Sequence, residues 1–261
     1  MAALSLVTAT AAAAVLSLIA TAAAAADHAY PDAADVPYAQ SRSYLRTAGR
    51  VQSISFVCAP LDGVDMTVVG PAMAGSRVWI AQPLSGEPPT VFKVGTADPG
   101  AGQVYWPLSN LSGKEVGDLH AFNPDALGDP KAAATPTFTE IRVNAASWNC
   151  RWLEHTRLLG FSARRVVEIT SGPGGFEYRT FDFKDAGKLK RIPGGAQDTT
   201  TASLDIKGGR LVGGRMHFEH QGYAYDVTGS AADARITISK GGRRVAVEPL
   251  VAWTLGPAAG R

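Results

Sequence analysis

The second half of this chain is punctuated in a way that leaves few folds open to it. Short runs of alternating β-branched and aromatic residues recur at roughly ten-residue spacing, and nearly every run ends in a glycine-bearing turn. "RRVVEIT", the turn "SGPGG" and "FEYRTFDF" read as a hairpin. "ASLDI", the turn "KGG", "RLVGGRMHFEH", the turn "QG" and "YAYDVTG" continue a meander. "ARITIS", "KGG" and "RRVAVEPLVAW" close it. A chain cut this often cannot build long helices. The expected fold is all-β, an antiparallel sandwich or barrel-like sheets with short turns, little helix and one disulfide.

The first half carries the same signal less regularly. In "VQSISFVC" the period is two, placing Ile54, Phe56 and Cys58 on one face and Ser53, Ser55 and Val57 on the other. "DMTVVG", "SRVWIAQ", "TVFKVG", "QVYWPL" and "GDLHAF" follow as short strand candidates, cut by Gly, Pro or Asp. "NPDALGDPKAAATPT" (Asn123 to Thr137) is the best linker. The expected organisation is therefore a leader over 1–26, a polar arm over 27–47 with a short helical turn around Ser41 to Arg46, a first β-region over 48–136 and a second over 137–261.

The leader has no charged residue before Asp27, is rich in Ala, Leu and Val, and ends with Ala24 and Ala26 spaced as A-x-A. It reads as a secretory signal peptide cleaved near Ala26, although it lacks an N-terminal Lys or Arg; an uncleaved anchor is the alternative. No later apolar run is long enough to span a bilayer, so the mature chain is expected to be periplasmic or secreted. In that compartment the chain's two cysteines, Cys58 and Cys150, are expected to pair, the alternative being two buried thiols.

Net charge is only +2, but it is uneven. From Asp27 to Glu140 there are 7 Lys and Arg against 12 Asp and Glu; from Ile141 to Arg261 there are 18 against 11. The basic second half suggests an anionic partner, an envelope protein or an anionic envelope polymer; packing of the two halves on each other is the bland explanation. Nucleic acid is not expected, given the moderate charge and the exported compartment.

The densest stretch is "SWNCRWLEHTRLLGFSARR" (Ser147 to Arg165). On a strand, Trp148, Cys150 and Trp152 share a face, the environment of a buried disulfide rather than of a reactive thiol. Arg151, His155, Arg157, Arg164 and Arg165 are the candidate binding residues, since guanidinium groups grip carboxylate or phosphate bidentately. "KDAGKLKR" and "KGGRR" add further positive charge, which also serves to discourage edge-to-edge pairing of strands.

"MHFEH" sits between glycines and alternates, so it reads as a strand. His217 and Glu219 then share one face, as an acid–base pair or a solvated strand face, while His220 points away, so no metal site is expected there. Asp182 and Asp226 complete the residues on which a hydrolase acting on envelope glycan or peptide would draw. No nucleophile elbow, zinc-protease helix, P-loop or dinucleotide fingerprint occurs, and no cofactor is expected. The leading expectation is an exported, non-catalytic β-protein of the bacterial cell envelope.

Overall fold

A computed structural model describes residues 42–48, 50–59, 67–70, 77–100, 103–122, 137–150, 155–184 and 202–256. The leader, the arm up to residue 41, nearly all of the linker and Arg151 lie outside the described residues. What is described is nearly all β: two curled antiparallel sheets, two half-barrels. Among the described residues no helix is long and apolar enough to cross a membrane.

The larger sheet has eleven strands. It contains β1 (Arg42–Thr47), β2 (Arg50–Ile54), β12 (Thr156–Phe161), β13 (Arg165–Gly172), β14 (Gly175–Asp182), β15 (Leu204–Val212), β16 (Arg215–His220), β17 (Tyr223–Gly229), β18 (Ala234–Lys240), β19 (Arg243–Pro249) and β20 (Ala252–Leu255). Their order is β19-β18-β17-β16-β15-β14-β13-β12-β20-β1-β2. The nine-stranded sheet contains β3 (Phe56–Cys58), β4 (Thr67–Val69), β5 (Arg77–Ala81), β6 (Thr90–Val94), β7 (Asp98–Gly100), β8 (Gln103–Ser109), β9 (Glu115–Phe122), β10 (Thr137–Val143) and β11 (Ala146–Asn149). Its order is β11-β10-β9-β8-β6-β5-β4-β3, with β7 beside β8.

Connectivity dictates the curl. Seven strands separate β19 from β20 in the sheet. In a flat sheet that is a distance of roughly 38 Å. Only Leu250 and Val251 join them, and such a link spans about 10 Å at most. The sheet must bend back on itself. At the closure the Leu250 amide donates to Ala234, while the next residue, Val251, donates to Phe161 and accepts from the Arg46 amide. The smaller sheet is drawn round by a covalent bond instead. Its outermost strands are β3 and β11, yet Cys58 at the end of β3 and Cys150 just past β11 form a disulfide, with Cα atoms 4.3 Å apart.

Each half-barrel has its own apolar interior. Tyr178, Phe218, Val227, Ile236 and Trp253 fill the larger one, and Trp106, Leu108, Leu119 and Ile141 the smaller. A third cluster lies where the sheets meet: Leu45, Ile54, Leu159 and Phe161 from the larger pack with Val57, Trp79 and Ala81 from the smaller.

Three local expectations are corrected. Residues 42–47 are a strand rather than a helical turn, with Ser43 and Leu45 buried and the pairing shared between β2 and β20. Ile54, Phe56 and Cys58 do not share a face. The chain bends at Ser55, whose hydroxyl donates to Gly70 (2.5 Å), and from there it changes sheets, so Ile54 joins the cluster between the sheets while Phe56 and Cys58 join the interior of the smaller one. The glycines of "KGG" at 207–209 make no hairpin turn: β15 runs straight through them and the turn comes at Gly213–Gly214.

Gly208 has φ +78° and sits at the register shift between β14 and β15, while Gly209 is a packing glycine. A Cβ there would stand 2.2 Å from the Phe218 ring, in the interior of the half-barrel. Replacing Gly209 by Ala is expected to cost about 1–3 kcal/mol by overpacking, read as a lower midpoint in urea unfolding.

The expected boundary between 136 and 137 falls between β9 and β10, which are hydrogen-bonded neighbours in one sheet. Sheet membership changes at Ser55 and again between Asn149 and Thr156.

Candidate functional site

Strands β15 to β19 form a meander whose turns are written in the sequence. Gly213–Gly214, Gln221–Gly222 and Gly241–Gly242 all take positive φ at both central positions, the two-residue hairpin geometry that matches strand twist. The alternation of each strand then sorts its side chains. Phe218, Val227 and Ile236 face the interior. Arg210, Arg215, His217, Glu219, Asp226, Arg235, Thr237, Arg244 and Val247 occupy the opposite, outward parity.

Cross-strand register brings this outward face together. His217 stands opposite Arg210 on one side and Asp226 on the other, and Asp226 stands opposite Thr237, which stands opposite Val247. The His217 ring is clasped from both ends: Nδ1 lies 2.8 Å from Asp226 Oδ1, and Nε2 lies 3.0 Å from Glu219 Oε1. Arg210 reaches Glu219 at 3.4 Å. The two carboxylates hold the His217 pKa above its ordinary value, and the imidazole holds that of Glu219 below its own. Of the three carboxylates on the face, these two are thus engaged with one ring, and the third, Asp205 of β15, stands opposite Arg179. Arg215 and Arg244 are exposed and carry no ion pair among the described residues, and Arg235, paired with Asp233 at 2.8 Å, is still half exposed. On the outward parity of β15–β19, Lys207, Arg210, Arg215, Arg235 and Arg244 stand against Asp205, Glu219 and Asp226, so the field over this face is positive.

Of the hydrolase residues, the structure brings His217, Glu219 and Asp226 together and leaves Asp182 on the inward face of another part of the sheet. There Asp182 and Glu248 flank Arg165, each at 3.3 Å, and the Ser162 hydroxyl donates to Glu248. A general base needs a free lone pair in reach of substrate. Both His217 nitrogens are occupied, which suits a bound imidazolium better than a base. No group of three or more His, Cys, Asp or Glu among the described residues is arranged to hold a metal ion.

The described residues of the 155–165 set do not converge. His155, at φ +64°, and Arg157, whose Nε donates to Ser171 Oγ (2.8 Å), lie at the start of β12. Arg164 and Arg165 lie past its far end, about 17 Å away along the strand, and Arg165 is turned onto Asp182 and Glu248.

Arg210, Arg215 and Arg235 were not marked out by sequence. Two-residue parity with His217 points to Arg215, but Arg210 comes opposite His217 only when the turn is set at Gly213–Gly214. The smaller sheet holds another cluster that sequence did not mark. The His120 ring stacks on Tyr105 at 4.3 Å, donates from Nε2 to Gln103 (2.9 Å) and accepts at Nδ1 from Thr139 (3.3 Å). Burial lowers the His120 pKa, in keeping with a neutral ring in a satisfied structural network. No family model, curated protein or solved structure matches this chain.

Proposed function

We propose that this is an exported, non-catalytic β-protein of the bacterial cell envelope that binds an anionic partner, a protein or an envelope polymer, on the outward face of β15–β19. One observation carries the reading: Arg210, Arg215, Arg235, Arg244 and His217 share a solvent-facing sheet surface, and of its three carboxylates Glu219 and Asp226 are tied to His217 while Asp205 stands opposite Arg179. A rigid sheet presents these groups in fixed spacing, so little ordering entropy is lost on contact. The Cys58–Cys150 disulfide is compatible with an oxidising, exported setting. The Asp226–His217–Glu219 trio is the observation that favours a hydrolase of envelope glycan or peptide instead.

Polyglutamate is a suitable probe. Changing Arg210, Arg215 and Arg244 together to Ser is expected to weaken its binding about tenfold at physiological salt, as three exposed charge contacts would. Changing Arg157 and Arg164 to Ser is expected to leave it nearly unchanged. Because the His217 pKa is raised, the ring is charged at acid pH and loses that charge as pH rises through the raised value. Binding should therefore tighten as pH falls through it in the wild type, and His217→Gln should flatten the profile. Equal losses in both Arg variants would move the surface to 155–165. Hydrolysis of envelope material, lost in His217→Gln, would replace the binding reading by the enzymatic one.

A further inference from the structure

We infer that the free edge of β19 is where an acidic, extended segment of a partner protein adds as a further strand. This rests on the binding reading above and names the partner's chemistry. Among the described strands β2, β3, β7 and β11 also have a single hydrogen-bonded neighbour, but β3 and β11 are tied end to end by the Cys58–Cys150 bridge, β2 runs through Ser55 into the smaller sheet, and β7 is three residues long, which leaves β19, of seven residues, as the long free edge. β19 is paired on one side alone, by β18.

Alternation fixes what that edge offers. The Leu250 amide is turned back onto Ala234 of β18, so the backbone at Val247 and Pro249 faces away from the sheet. Proline has no amide hydrogen, so an added strand would end there. The usable stretch is Arg243 to Val247, and within it Val245 and Val247 are 47% and 46% exposed. These two are among the few large apolar side chains so exposed in the described residues, and they stand on the strand that lacks a neighbour.

Charge selects the occupant. Arg243 and Arg244 have no acidic partner among the described residues, and Lys240, against the Tyr223 hydroxyl at 3.2 Å, lies opposite Arg243. Glu248 is the sole carboxylate of β19, and it is turned inward to Ser162 and Arg165. A second copy of this strand would bring cations against cations. An extended segment with a pair of carboxylates opposite Arg243 and Arg244 and apolar residues opposite Val245 and Val247 would meet the arginines with its carboxylates and the valines with its apolar side chains, while main-chain hydrogen bonds fix its register.

The test compares a Glu-Val peptide of about eight residues, its valines placed opposite Val247 and Val245 and a glutamate pair opposite Arg244 and Arg243, with polyglutamate, against the wild type and Val247→Pro, whose folding is checked by its melting temperature. Val247→Pro removes an outward amide and leaves the charge unchanged. The expected result is that it weakens the Glu-Val peptide about tenfold and spares polyglutamate. The same Glu-Val peptide N-methylated at every residue, unable to donate along either edge, is expected to lose the same affinity for the unaltered protein, so the result does not depend on the variant folding. If the N-methylated peptide binds as well as its parent, strand addition is overturned, and the face acts as a surface for a polymer. If the wild type binds neither probe, the binding reading falls with it.

Discussion

Replacing Cys58 and Cys150 by Ser is expected to lower the unfolding free energy by about 4–5 kcal/mol, as loss of a bridge closing so long a loop would. For a chain of this size that corresponds to a fall in melting temperature of roughly 10–20 °C. The size of the effect follows from where the bridge lies. It joins the two outermost strands of the smaller half-barrel, across six intervening strands. Without it, β3 and β11 keep their single neighbours, but nothing covalent draws the edges together, and the buried Trp106, Leu108 and Ile141 lose an enclosed interior. Thermal unfolding with and without reductant measures this directly. The larger sheet is closed by main chain at Leu250–Val251, so its strands should keep more of their amide protection in the reduced protein than β3 and β11 do.

Arg165→Leu is expected to destabilise the protein by about 3–5 kcal/mol, because it strands two carboxylates in a nearly closed site. The side chains of Arg165, Asp182 and Glu248 are 18%, 14% and 10% exposed, so solvent does little to replace the lost guanidinium. These groups also hold the closure of the larger half-barrel: Glu248 comes from β19, and Arg165 and Asp182 from β13 and β14. The double variant Arg165→Leu/Glu248→Leu should recover part of the loss, since it removes one of the abandoned charges together with its partner. Urea unfolding of the single and double variants checks both statements. A single variant as stable as the wild type would mean that the cluster is solvated and contributes little.

Much of the fold was legible because its information is local. Gln221–Gly222 and Gly241–Gly242 fix their hairpins by φ alone, and the alternation in "MHFEH" sets Phe218 inward and His217 with Glu219 outward. The cysteine pairing followed from their even number and the expectation of an exported chain. What was not legible depends on distant partners. Gly208 and Gly209 resemble a turn, and only the Phe218 ring against Gly209 and the bulge facing β14 reveal them as strand. That misplaced turn also hid Arg210 opposite His217. Asp226 is nine residues from His217 in sequence and becomes its partner through hairpin register. The bend at Ser55 breaks a clean two-residue period because β2 and β3 belong to different sheets. Arg165 looked like surface charge; Asp182 stands opposite it in the β13–β14 hairpin, and its other acceptor, Glu248, comes from β19, which only the curl of the sheet brings near it.

The central claim is that the outward face of β15–β19 carries the binding surface. Amide hydrogen exchange of the wild-type protein with and without polyglutamate, at low and at physiological salt, tests it most directly. The account predicts slower exchange confined to β15–β19, strongest where Arg210, Arg215 and Arg244 stand, and diminished as salt screens the contact. Protection centred on Arg157 and Arg164, or on the smaller sheet, or absent at low salt, would contradict it.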